Sequence, residues 1–316
     1  MIKKYSFIIG IIIFLLILNK LGFREMIDIL TQVNLYYFGL ATFLLLPILF
    51  IRAYRWNYLK KKQGIIFSLK DSFLINNISM IIGLVTPGRL GELTKILYLK
   101  NKNYSIGKSL VSVLLDRLAD LFFLLFFSLI SLIFFFSYFK KTILLLALIL
   151  SLFILVFILI SKNNLVQIIL KKMLGLIIPS KFKKSWLLNY HDFLKNLKIY
   201  TLNNYFSILF ITAFSWLIYY FQSFLLLKSI GINNIPFFYL AITVTIAGFV
   251  TLLPISISGL GTREATLIFF FSFFQVPLEK TIGFSLLILS TIVSTALIGL
   301  ICWLFKQVHQ PTLVTR

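Results

Sequence analysis

Acidic residues are scarce in this chain: nine Asp and Glu stand against 31 Lys and Arg among 316 residues, for a formal net charge of +22. Histidine and cysteine are scarcer still. His191 and His309 are too few for a His-rich metal site, and a lone Cys302 excludes an intrachain disulfide. No G-x-x-x-x-G-K-[ST] run occurs, so nothing reads as the engine of an ATP-driven pump. Long polar segments are missing too, and with them any stretch able to fold as a separate soluble domain. The basic excess carries no aromatic-basic RNA motif, because the phenylalanines lie inside apolar runs; nucleic acid is not an expected partner.

What is abundant is apolar. Hydrophobic residues make up 60% of the chain, and mean hydropathy is +1.00. Runs of about 20 apolar residues recur, the length that crosses a hydrocarbon core. The pattern predicts an all-α polytopic membrane protein, with full spans near 5–19, 35–51, 109–137, 142–161, 204–227 and 281–305. The first begins MIKKYSFIIG and shows no small-x-small cleavage site, so it reads as an uncleaved span. Two further apolar segments, 72–99 and 237–275, are each interrupted by a glycine-containing polar stretch.

Lys and Arg in short loops set orientation. Lys3 and Lys4 place the N-terminus inside, and Lys306 and Arg316 do the same for the C-terminus. Residues 52–70 carry Arg52, Arg55, Lys60, Lys61, Lys62 and Lys70, and read as an inside loop. Lys95, Lys100, Lys102 and Lys108 call for the same side. Segment 72–99 then enters and leaves on one face as a re-entrant hairpin, and 237–275 does so from the opposite face. Two such hairpins are the topology of an inverted repeat. Segment 162–203 holds eight Lys against one Asp and breaks at Pro179, which predicts one or two amphipathic helices on the inner membrane surface. The whole of 1–316 reads as one transmembrane domain.

Charge inside such a chain is costly and marks function. The first interruption, TPGRLGE, holds Pro87, Gly88, Arg89, Gly91 and Glu92. The second, SGLGTRE, holds Gly259, Gly261, Arg263 and Glu264. The glycines allow tight turns, and a half-helix restarting after each would put Glu92 and Glu264 in its first turn. Arg89 and Arg263 beside helix N-termini suit a phosphate. The third cluster is DRLAD, where Asp116 and Asp120 share a helix face with Arg117 between them. Arg89 or Arg263 is the expected partner of these carboxylates. A structural pairing and a binding role are both open for all seven charged residues.

TPGRLGE, DRLAD and SGLGTRE in this order resemble the lysylphosphatidylglycerol synthase transmembrane-region family, also called flippase-like domain proteins, over about residues 5–306. The family pattern has Pro-Gly-Gly-Leu-Gly before the last Arg-Glu, where this chain has Ser256-Ile257-Ser258-Gly259-Leu260-Gly261 and an earlier Pro254. The resemblance implies a bacterial or archaeal inner-membrane protein that moves a lipid between leaflets, not an enzyme. The soluble synthase domain that accompanies some members has no counterpart in these residues, so lipid aminoacylation is not implied. The expected partners are anionic or polyprenyl-phosphate lipids and a separate lipid-modifying enzyme. No cofactor or metal is expected. Two other functions fit the residues: a glycosyltransferase using a lipid-linked sugar, suggested by Glu25-x-x-Asp28, and a solute or ion transporter.

Overall fold

The computed structural model describes residues 31–133, 136–177, 183–252 and 259–308. The expected first span at 5–19, Glu25-x-x-Asp28, Pro179 and Pro254 lie outside them. Among the described residues the chain is helical, with no strand. In order the helices are α1 (Leu35–Phe43), α2 (Leu45–Lys62), α3 (Leu69–Val85), a 3₁₀ segment (Pro87–Thr94), α4 (Lys95–Lys100), α5 (Ile106–Ile133) and α6 (Phe136–Lys162). Then follow α7 (Asn164–Ile177), α8 (Lys183–Leu197), α9 (Leu202–Ser229), α10 (Phe237–Leu252), α11 (Thr262–Ser272) and α12 (Leu278–Val308).

Four stretches are long and apolar enough to cross a membrane: Leu35–Lys62, Lys140–Ile160, Leu202–Ser229 and Leu278–Phe305. The first joins α1 and α2. Its interruption at Leu44 has a local cause, because Pro47 lacks the N–H that would bond to the carbonyl of Phe43. The outward residues of α6, among them Leu144, Leu145, Leu148 and Leu152, are exposed and apolar, as a lipid-facing helix requires.

One expectation is corrected here. Residues 52–62 are not loop: α2 continues through them, with Arg55 and Lys60 buried. Lys95 is buried as well. A hydropathy window stops at charged residues, but a helix does not stop where protein groups neutralise them. These three cations therefore carry no information about which side a loop faces. In segment 162–203, where one or two helices were expected, the chain forms α7 and α8.

The chain divides into two compact units. The first takes in the described residues of 1–54, 69–92 and 213–316. Its core includes Leu227, Leu240, Leu267, Phe271 and Phe284, all nearly inaccessible. In this unit α12 packs on both α3 and α11, the helices that precede and follow the two glycine turns. Gly299 makes the α3 contact close: a Cβ there would sit 2.7 Å from the carbonyl oxygen of Asn77. Small residues at such crossings let backbones approach, and dispersion rather than hydrophobicity is the gain when the solvent is lipid.

The second unit takes in 55–68 and the described residues of 93–212. Leu59, Val111, Leu115, Ala119, Leu197 and Ile208 form its apolar core. Here α8 docks on α5 through Gly107, whose Cα lies so close to the Asn189 carbonyl that a Cβ would overlap it. The Gly107 N–H donates to Asn189 Oδ1 at 3.1 Å.

Candidate functional site

The charged candidates lie at two glycine turns in the first unit and in one cluster in the second. In the first unit, α3 ends at Val85, ahead of Thr86-Pro87, as the proline demands. The chain then turns as 3₁₀ rather than restarting as α-helix. Glu92 therefore sits inside that 3₁₀ segment, not in the first turn of a helix as expected. Thr86 Oγ1 ties the turn, accepting from the Gly91 N–H at 2.7 Å and donating to the Ile82 carbonyl at 2.9 Å. Gly91 lies against the Ile82 carbonyl, where no Cβ fits. Glu92 is buried, and its Cγ occupies the space a Cβ on Gly83 would take, 2.7 Å away. The expectations for Arg89 fall on a side chain outside the described part of the structure.

The second turn follows the sequence pattern closely. Gly259 and Gly261 both hold positive φ, +80° and +81°, which side chains resist. α11 starts at Thr262, so Glu264 is its third residue. Its Oε2 accepts the Gly261 N–H at 2.6 Å and satisfies one donor of the helix start. Its Oε1 accepts from Arg263 Nη2 at 2.7 Å and from the Ser285 hydroxyl at 2.6 Å. Ser285, on α12, in turn accepts from Arg263 Nε at 2.8 Å. Arg263 and Glu264 are 4% and 1% exposed, so this triad is buried. Arg263 Nη1 is buried too, and no hydrogen-bond partner for it exists among the described residues.

The cluster of the second unit is built around Arg55, which the sequence reading assigned to a loop. Its Nε donates to Asp116 Oδ1, Nη1 and Nη2 fork onto the two oxygens of Asp120, and Nη1 also donates to Thr212 Oγ1, all at 2.8 Å. Asp116 takes a second cation, Lys95, with Nζ at 2.9 Å from Oδ2. Arg117 lies 3.4 Å from Asp116 and 3.5 Å from Asp120. The expected facing of Asp116 and Asp120 along α5 holds. Arg55 takes the role expected of a turn arginine: the forked geometry on Asp120 is that of a strong guanidinium–carboxylate pair. Trp56 adds a contact to Lys95, whose Nζ is 5.2 Å from its ring centre, and brings in Lys60, with Nζ at 3.9 Å.

Sequence reasoning missed Arg55, Lys95, Thr212 and Ser285. A signal existed for Arg55: Ala53, Trp56 and Leu59 continue the helical spacing of α2's buried residues beyond the apolar run. Ser285 gave none, since serine is unremarkable in an apolar helix.

The family model for the lysylphosphatidylglycerol synthase TM region matches residues 5–302. The chain belongs to that family. No curated protein and no solved structure gives a significant match. Members of this family are membrane domains, which agrees with the four membrane-length apolar stretches, and a membrane location follows.

Proposed function

We propose that this protein moves a phosphate-bearing lipid between membrane leaflets, with its buried cationic groups receiving the head group while the acyl chains stay in the bilayer. The observation that carries the reading is Arg263. Its guanidinium stands at the start of α11, held by Ser285 and Glu264, with Nη1 buried and unmatched among the described residues. A donor kept in that state at a helix N-terminus suits a transient anion. Glu264 holds the arginine between visits, so an arriving phosphate exchanges one anionic partner for another. Arg89 and Glu92 act alike at the other glycine turn, and both turns are tips of re-entrant hairpins. Asp116, Arg117 and Asp120 serve as the scaffold of the second unit, through the cluster around Arg55.

The family's name ties it to synthases of a phospholipid, which supports a lipid over a free solute. The lipid is anionic or of the polyprenyl-phosphate type, and a separate lipid-modifying enzyme supplies or consumes it. The setting is a bacterial or archaeal inner membrane, with both termini cytoplasmic. The chain acts without catalysis, and movement is passive or ion-coupled.

The test is leaflet exchange of fluorescent phosphatidylglycerol, phosphatidic acid and polyprenyl phosphate in proteoliposomes, with glycerol phosphate as competitor. Exchange above protein-free vesicles, resistant to glycerol phosphate, is expected. No exchange of any of the three overturns the reading, and equal competition by glycerol phosphate turns it into a solute transporter.

A further inference from the structure

Within the second unit, α5, α6 and α8 enclose a groove of about 1030 Å³. The volume lies at the top of the range of about 300–1,000 Å³ typical of small-molecule sites. Each helix contributes one face at helical spacing: Gly107, Leu114 and Leu118 from α5, Leu152 and Val156 from α6, Phe193 from α8.

The few polar groups along the groove are already committed. Tyr190 donates to the Gln167 carbonyl at 2.6 Å, and burial raises its phenol pKa, so it stays a neutral donor. Asn189 accepts from Gly107 and donates to the Ser185 carbonyl at 2.8 Å. A polar ligand would find no waiting partners there, whereas a hydrocarbon chain would lose nothing. Leu152 and Val156 are exposed on the membrane-length helix α6, so hydrocarbon reaches them.

Charge names the head group. Lys108 follows Gly107 on α5, and exposed Lys183 stands two residues before Ser185 on α8. Segment 162–203, which holds α7 and α8, has eight lysines and one aspartate. Such a basic collar attracts anionic lipid, by about fivefold for each lysine near the surface.

We infer that this groove holds an acyl chain of a resident anionic phospholipid, whose phosphate meets Lys108 and Lys183. None of the residues that line the groove belongs to the Arg263 triad or ligates Arg55, and the inference stands whether or not the protein moves lipid.

Trp186 lines the groove and serves as the probe. The full chain is placed in vesicles containing phosphatidylglycerol or phosphatidylcholine with brominated acyl chains. The Trp186 signal is the difference between the wild type and Trp186→Phe. Quenching is expected to saturate at a lower fraction of brominated phosphatidylglycerol than of phosphatidylcholine. Lys108→Gln with Lys183→Gln should cut that preference by about fivefold per lysine. Val156→Phe, which narrows the groove, should reduce quenching by both lipids. Quenching that merely follows the bulk fraction of brominated lipid, equal for both head groups, overturns the inference. So does a head-group preference that survives both lysine substitutions. Trp186→Phe, which keeps an aromatic ring in the groove, is the one variant that the comparison of head groups needs.

Discussion

The Arg263 triad and the Arg55 cluster solve the same problem by different routes. Each buries cations and carboxylates in a chain that is mostly hydrocarbon. At the α11 start the solution is local: Arg263 and Glu264 are neighbours, the Gly261 N–H is three residues away, and only Ser285 comes from elsewhere. In the second unit it is long-range, since Arg55 reaches Asp116 and Asp120 from 61 and 65 residues away and Thr212 from 157. The local triad leaves a buried guanidinium nitrogen unmatched among the described residues, whereas four Arg55 N–H groups are engaged. A central arginine as fully engaged as Arg55 suits a scaffold, and one with a buried nitrogen to spare, as Arg263 has, suits a ligand.

The sharpest way to break this contrast is to remove Arg55. Arg55→Met leaves Asp116 buried with less compensation, and loss of one partner of a buried pair costs about 3–5 kcal/mol. The unfolding midpoint in detergent should fall further than for any other variant considered. If it falls no further than for a change at Ser285, the second cluster is not the scaffold.

Next in size is Gly259→Ala. It places a Cβ at positive φ and against the Thr251 side chain, so a loss of about 1–3 kcal/mol is expected. Unfolding in detergent measures it, and an unchanged midpoint would show that the turn relaxes freely.

The extent to which these features could be read from sequence follows the same divide. The Gly259–Glu264 turn was legible because a glycine turn and a capping glutamate act within a few residues of each other. The helical character of the chain and the helices of segment 162–203 were legible from apolar and basic periodicity. Arg55 and Lys95 were not, because a charge signals a loop only when water solvates it, and their partners lie far along the chain. The 3₁₀ path through Glu92 was hidden for another reason: it depends on Gly91 seating against the Ile82 carbonyl, a contact across the turn.

A smaller effect sharpens the comparison from the other side. Ser285→Ala removes a hydroxyl that both accepts from Arg263 and donates to Glu264, at about 1–2 kcal/mol of stability. Lipid exchange should respond more than stability, because the arginine loses its alignment. A variant that loses stability but keeps exchange would make the triad structural.

The smallest effect is expected for Asp120→Asn. Asp120 is 18% exposed at its side chain, so solvent screens part of its charge. The amide keeps one acceptor for Arg55 and Asp116 still balances its charge, so about one hydrogen bond's net worth is lost, about 1 kcal/mol. A loss as large as that of Arg55→Met would show that the fork on Asp120, not the contact with Asp116, holds the cluster.

The decisive measurement is the initial leaflet-exchange rate of fluorescent phosphatidylglycerol in proteoliposomes, comparing wild type with Arg263→Gln and Arg89→Gln at equal amounts of folded protein. A drop of at least about tenfold in both variants, equivalent to about 1.4 kcal/mol of barrier, is the predicted result. Wild-type exchange retained in Arg263→Gln would contradict the assignment of that arginine to the lipid phosphate.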